Sequence, residues 1–486
     1  MKKYILAIDE GTTSVRAILF DVEKNKIVKL SRQPITIVNP RVTWVEQDAN
    51  DIWNKTLKCL KDVTSNIDLD DVYGLGITNQ RETTIAWEKN SGKPLYNAIV
   101  WNDRRTINDC YKLIKSKHSK IIQDKTGLII NSYFSATKMK WLLHHVPAVA
   151  KAAKANNLCL GTMESFLVYK LTQHTVFVTD VTNASRTMLF NINSCRWDNQ
   201  LLNIFGINKK WLARPVDNDK KVGFTTLLGK KLAIVGLIGD QQSSLLGQGC
   251  FHKGDIKNTY GTGCFMLANT GTQRIRSVNN LLTTIACRIN NKTYYALEGS
   301  IFSGGSLING MIAKKVAKNH RQLAKLAKKV KSTNTYLIPA FKGLGAPHWL
   351  MEAQPQFINW DKAENKDKAY AAYHALVMRN QEVFNAIKKD TKYSFKRLCV
   401  DGGLAMNKYL MHKQADVLQL PISIINLEST AMGAITLTGL ATQAFKSLYK
   451  LEYKPIKTYK VKKPYKKVVS YINDWNDLMS QYMKGK

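Results

Sequence analysis

The chain has 486 residues, of which 44% are hydrophobic and 22% charged, the make-up of a soluble globular protein long enough for two sizeable domains. No apolar run approaches the roughly 20 residues that span a bilayer, and the opening run stops at Asp9, too early for a signal-peptide core. The net charge of +36 is mostly lysine, densest at 314–331 and 446–467; it reads as a solvated surface, with an anionic membrane or nucleic acid as the less favoured partner.

The first stretch organises the rest. Residues 4–8 and 15–20 are short apolar runs joined by a polar turn of Gly11, Thr12, Thr13 and Ser14, the pattern of a β-hairpin. Small residues let the backbone approach an anion, while N–H groups and hydroxyls offer donors to phosphate oxygens. Asp9 ends the first strand with the kind of carboxylate that a phosphate-bound Mg²⁺ takes as a ligand. An ordinary hairpin with a polar turn would look the same in isolation.

Residues 44–48 lead into a helical pattern with Trp53, Leu57 and Leu60 on one face and Asp48 or Asn50 as its cap. Residues 72–78 form a buried strand that delivers Asn79-Gln80-Arg81-Glu82 to its C-terminal end, where open α/β sheets bind ligands. Arg81 and Glu82 set a donor beside an acceptor, suited to a polyol; a surface ion pair is the plainer alternative. Residues 98–103 predict a strand ending at Trp101, and Tyr133 stands at the start of a helix. The hydroxyls and amides of 177–187 suggest a structured loop. A buried strand at 232–238 runs into Asp240 in a strand-to-helix turn.

The second half repeats the opening. Residues 254–268 again read strand, small polar turn (Gly261, Thr262, Gly263), strand. Two such hairpins half a chain apart suggest a duplicated fold that clamps a nucleotide's phosphates between its halves. Residues 303–306 open a helix, and 311–330 predict one amphipathic helix with Val316, Leu323 and Val330 at heptad spacing. Residues 397–407 read strand, Gly-Gly turn, helix, another small-residue helix start able to meet phosphate or ribose. Residues 429–434 begin a further helix. The eight cysteines are scattered, with no C-x-x-C pair and no Cys/His metal spacing, which points to a reduced, cytoplasmic setting. These elements divide the chain into domains at 1–248 and 249–445, with a basic extension at 446–486.

At 76–83, 97–101, 133–138, 180–190, 239–242 and 258–263 the residues resemble the glycerol kinases of the FGGY carbohydrate-kinase family. The resemblance runs from about residue 3 to about residue 445. It implies an α/β fold of two actin/hexokinase-like (ribonuclease H-like) ATPase domains with a cleft between them. It also implies a homodimer and transfer of a phosphoryl group from ATP to glycerol. By motif match, Arg81, Glu82, Tyr133 and Asp240 would bond the triol, Trp101 and Phe265 would wall its carbons, and Gln241 would stand beside them. Asp240 would be the general base. Asp9 would hold Mg²⁺. Thr12, Thr13, Ser14 and Arg16 would meet the phosphates from one side and Thr262 from the other; Gly305, Asn309, Gly403 and Asn407 match nucleotide positions.

Departures from the family pattern lie in the second half, at 310–313, 350–356 and 373–379, and spare every matched triol contact. The loop before Asp240 lacks the Gly-Gly-Thr-Arg-type segment linked to fructose 1,6-bisphosphate inhibition in some relatives, so no such regulation is expected. Two alternatives stay open: a kinase for another small polyol such as dihydroxyacetone, and a binding protein that keeps the fold with weak turnover.

Overall fold

In the computed structural model, which describes residues 2–425, 428–448 and 453–485, the chain divides into two compact units. Residues 1–247, 283–295 and 428–452 make the first; residues 248–282, 296–427 and 453–486 make the second. The sequence suggests linear boundaries at 248 and 445, whereas the units interleave. Two returns cause this. Thr283 donates its N–H to the Gly127 carbonyl at 2.9 Å, and Arg288 pairs with Asp217 at 2.7 Å. The helix Ser429–Ala441 lies so close on the first sheet that a Cβ at Gly76 would stand 2.5 Å from Thr438 Oγ1.

The first unit is built on a six-stranded sheet in the order Lys221–Thr225, Leu232–Gly239, Val72–Asn79, Tyr4–Glu10, Ser14–Asp21, Lys26–Pro34. Tyr4–Glu10 and Ser14–Asp21 form the expected hairpin, closed by a 3.0 Å bond from Gly11 N–H to the Ser14 carbonyl. Val72–Asn79 runs parallel to Tyr4–Glu10 on one side and to Leu232–Gly239 on the other. The helix Ala49–Thr64 packs against the hairpin, its first turn capped by Asp48, which accepts from Asn50 N–H at 2.8 Å. Its buried face runs through Ile52, Thr56, Cys59, Leu60 and Val63, so Trp53 and Leu57 are rotated to half-exposed positions.

Two segments of this unit differ from the sequence reading. Residues 177–187 are not a loop: Val178–Asp180 is a strand and Val181–Ala184 a helical turn. The polar density there is capping chemistry, since Asp180 accepts from the N–H groups of Thr182 and Asn183. The strand at 98–103 shortens to Ala98–Ile99, because Asp103 N–H bonds the Val100 carbonyl and turns the chain.

The second unit repeats the plan. Its sheet contains, in order, Lys292–Ile301 (from Ala296 onward in this unit), Cys264–Gly271, Ile256–Tyr260, Leu398–Asp401, Ile422–Ile424 and Lys457–Tyr459. Again a hairpin, Ile256–Tyr260 with Cys264–Gly271, is followed on its first-strand side by parallel strands. The helix expected over 311–330 is two helices, Gly305–Ala313 and His320–Lys328. Lys315 takes a left-handed conformation, and the Asn319 side chain caps the new start through Gln322 N–H at 2.9 Å. Val316 and Leu323 are buried all the same.

The basic extension, over 453–485, is an integral part of this unit. Lys457–Tyr459 pairs antiparallel with Ile422–Ile424, and the helix Val469–Lys484 buries Ile472, Trp475, Met479 and Tyr482. Tyr459 is only 2% exposed and Tyr453 packs edge-on against Phe251, so neither is a free stacking platform; Tyr465 is exposed, and Tyr449 lies outside the described residues. Among the described residues no helix is long and apolar enough to cross a membrane, and all eight cysteines are free thiols.

Candidate active site

Parallel pairing sets the register of three neighbouring strand ends in the first unit. Asp9 stands opposite Thr78, and Glu10 and Gly239 both stand opposite Asn79. The chain then leaves the sheet as Gln80-Arg81-Glu82 on one strand and Asp240-Gln241-Gln242 on the next. Residues 160 positions apart in sequence therefore emerge side by side, at the sheet edge where ligands meet open α/β folds.

Arg81 is the hub of this edge. Its guanidinium approaches Asp240 Oδ1 at 3.2 Å and donates to Gln242 Oε1 at 3.1 Å and to the Tyr133 hydroxyl at 3.3 Å. Gly239 makes room for it: a Cβ there would lie 2.7 Å from Arg81 Cγ. Glu82, in a left-handed conformation at φ 59°, accepts from Arg186 Nε at 2.6 Å. Two guanidiniums and one carboxylate are thus paired in the dry interior. The Asp240 side chain differs, with 26% of its surface exposed against 1–2% for Arg81 and Glu82. It is the most open member of this set. Its Oδ1 also accepts from Gln241 N–H at 2.7 Å, which fixes the carboxylate at the start of the helix Asp240–Gly247. Trp101 meets Tyr133 edge to face at 5.7 Å between centroids, and its indole N–H donates to Thr12 Oγ1 at 2.9 Å.

The same indole ties the pocket to the hairpin turn. Gln47 Nε2 holds the Thr12 carbonyl at 2.6 Å, and Ile35 N–H holds that of Thr13 at 3.0 Å, which leaves the Thr13 side chain exposed. Ser14 is buried at the first position of the second strand. Arg16 bonds Glu428 at 2.6 Å and comes within 3.6 Å of Asp9. Asp9 presents a carboxylate beside the turn, and no cluster of three or more metal-binding side chains exists among the described residues. One hard oxygen ligand fits Mg²⁺, which completes its octahedron with water and phosphate oxygens rather than a protein cage. Glu10, next in line and fully buried, accepts from Gln80 Nε2 at 2.7 Å, and burial pushes its carboxyl well above the usual range.

In the second unit the turn at 261–263 meets a helix start. Gly305 N–H donates to the Gly261 carbonyl at 2.7 Å, and the Ser306 hydroxyl to that of Thr262 at 2.9 Å. A Cβ on Gly304 would lie 2.7 Å from Gly263 backbone atoms, and one on Gly402, at φ 84°, 2.5 Å from the Tyr260 carbonyl oxygen. Thr262, Gly305 and Gly403 are thereby gathered at one end of the sheet. Asn309 bonds His320 at 2.8 Å; Asn407 caps the helix Lys408–Leu418 and donates to the Tyr373 hydroxyl at 2.8 Å. Gly403, Asn407 and His320 line a cavity of about 1220 Å³ bordered by several lysines. Phe265 sits in the strand Cys264–Gly271, 7% exposed.

One of the departures in this unit, Arg379, has a clear structural role. Arg379 is buried, pairs with Glu382 and donates to the Ala346 carbonyl at 2.6 Å. Glu382 also accepts from Trp475 Nε1 at 2.7 Å. A buried arginine on the helix Asn365–Thr391 thus holds the 343–349 loop, and the C-terminal helix steadies its carboxylate partner through Trp475.

Several residues of these sites escaped the sequence reading. Gln242 and Arg186 lie inside segments already singled out, but nothing local marks them as partners of Arg81 and Glu82. Glu428 reaches Arg16 across 412 positions, Lys138 ends the 133–138 segment without being marked as a site residue, and Glu10 carries no motif of its own.

Comparison with known proteins gives the lineage. The N-terminal domain of the FGGY family of carbohydrate kinases matches residues 4–247, and its C-terminal domain matches residues 256–442. The chain is 43% identical to a glycerol kinase of Alkaliphilus oremlandii, covering 93% of this chain and 92% of that one. It is 44% identical to a glycerol kinase of Lactobacillus acidophilus over the same shares. Among solved structures, Plasmodium falciparum glycerol kinase with ADP superposes with a TM-score of 0.89 at 31% identity, covering 99% of this chain and 98% of that one. By both domains and by these relatives, the chain belongs to the FGGY family of carbohydrate kinases, on its glycerol-kinase branch.

Proposed function

We propose that this protein transfers the γ-phosphoryl group of ATP to a terminal hydroxyl of glycerol, giving sn-glycerol 3-phosphate and ADP. The observation that carries the reading is the partly exposed Asp240 carboxylate, held by Arg81 at 3.2 Å beside the Tyr133 hydroxyl and Glu82. A small triol offers few apolar contacts, so selectivity rests on polar groups that a poorer substrate leaves unpaired. Arg81, Glu82 and Tyr133 supply such groups. Trp101 and, by motif match, Phe265 give the carbon backbone an apolar surface, and Gln241 lies beside the triol.

Asp240 accepts the proton of the attacking hydroxyl as its oxygen bonds the γ-phosphorus and ADP leaves. Arg81 keeps the carboxylate oriented. On the phosphate side, Thr12, Thr13, Ser14 and Arg16 supply donors from the first hairpin, and Thr262 from the second. Gly305, Asn309, Gly403 and Asn407 receive the nucleotide. Asp9 would hold Mg²⁺, which when bound would neutralise phosphate charge. Catalysis in this scheme is positioning and charge neutralisation.

The test is ADP release by the purified protein with glycerol and with dihydroxyacetone at matched concentrations. Faster turnover with glycerol is expected. A preference for dihydroxyacetone would replace the substrate, and no turnover with either would leave a binding protein on a kinase fold.

A further inference from the structure

One ionisable group beside the pocket takes no part in that chemistry. Lys138, on the helix Ser135–His145, is fully buried. Its Nζ donates to the Tyr133 carbonyl at 2.6 Å and reaches the Trp101 carbonyl at 3.4 Å. Both direct partners are neutral oxygens; the carboxylates of Asp103 and Glu82 act on it only through their fields. Burying an ammonium this way is costly, and an apolar side chain of similar length would fill the space without that cost. What the charge does achieve is specific. It ties together the backbones of the two residues whose rings meet at 5.7 Å and whose polar tips reach Thr12 and Arg81.

We infer that Lys138 is a positioning residue for the triol pocket: its ammonium clamps the Trp101 and Tyr133 backbones at the separation that glycerol needs. The inference rests on the function proposed above. The clamp is titratable, because burial pushes the Lys138 amine down to about 8 while Asp103 and Glu82 pull the other way. Cys110 and Arg105 also face it, the first favouring and the second opposing its charge, and Arg186 lies over the Tyr133 ring. On its own helix Lys140 is half-buried and His144 and His145 are exposed. Of the packed neighbours, Pro147–Lys154 carries exposed Lys151 and Lys154, Thr84–Glu88 carries half-buried Glu88, and Asn199–Phe205 has no ionisable group.

The sign separates positioning from a merely structural role. The folded protein sheds this proton at a lower pH than the unfolded chain does. Lys138 therefore adds stability as pH rises from about 8 toward the ordinary lysine value. Substrate fit moves the other way: the clamp weakens over the same interval and the glycerol KM climbs.

The experiment measures glycerol KM, ATP KM and kcat for wild type and Lys138→Met from neutral pH upward through about 8. Lys138→Met is expected to raise the glycerol KM about ten-fold at neutral pH, roughly one charge-assisted hydrogen bond of alignment, with kcat and ATP KM within about two-fold. The wild-type rise in glycerol KM above about 8 is expected to vanish in the variant. An unchanged glycerol KM in the variant, or a wild-type profile flat through that pH, overturns the inference. If Lys138→Met does not fold, the wild-type profile alone decides. A wild type that turns over no glycerol at neutral pH removes the proposed function itself, and this inference with it.

Discussion

The two hairpins share a topology and differ in what surrounds their turns. Around the first lie long charged side chains already paired with one another: Arg81 with Asp240, Arg186 with Glu82, Arg16 with Glu428. Around the second, backbones crowd together, with Gly304 and Gly402 at distances no side chain tolerates. The difference matches the proposed ligands: the triol and phosphate near the first turn, phosphate alone near the second. A triol presents hydroxyls that need directed donors and acceptors, and fixed ion pairs supply these without reorganising. A phosphate chain spreads its charge over many oxygens, and a bare backbone with its N–H groups can approach it closely.

Three substitutions would break or sharpen that contrast. The largest effect is expected from Asp240→Asn, which keeps the shape of the first site but removes the proton acceptor. The kcat should fall by about 10²–10⁴-fold, with ATP affinity, read by calorimetry, almost unchanged. An equal loss of both would mean a misfolded protein and not a missing base. Next is Arg81→Ala, which strips three partners at once and leaves Asp240 without its guanidinium. The glycerol KM should rise about 10–100-fold, the cost of losing charge-assisted bonds, while the ATP KM stays put. A normal glycerol KM would take Arg81 out of the pocket. The smallest is Gly304→Ala in the second unit, where the added methyl meets the Gly263 backbone at 2.7 Å. There the ATP KM should rise by about three- to ten-fold, the scale of a shifted rather than a lost contact, with the glycerol KM spared. A reversed pattern, with glycerol affected and ATP not, would dissolve the division of labour between the two sites.

The second-half departures bear on the same contrast. Set beside family motifs, the loss of an arginine near 350–356 looks like damage. The structure shows Arg379 bonded to the Ala346 carbonyl and neutralised by Glu382, with Trp475 completing the set. An alternative buried ion pair holds the loop, and the C-terminal helix steadies it through Trp475.

Sequence alone determined what depends on near neighbours. Alternating apolar runs and small polar turns specified both hairpins; Asp48 or Asn50 marked a helix start, and the structure caps it with Asp48; the position of 79–82 and of Asp240 at strand ends followed from where apolar runs stop. Local pattern failed where a polar residue overrode it, as at Asn319, which splits one expected helix into two, and Asp180, which turns an expected loop into strand and helix. Tertiary structure alone decided which of these residues meet. Arg81 finds Asp240 only because parallel pairing brings Gly239 level with Asn79, and Lys138 finds the Trp101 carbonyl only because its helix packs there. Turn and capping chemistry acts over a few residues and is written in them. Strand register and the pairing of buried charges are set by contacts between segments far apart in the chain, and no local stretch carries that information.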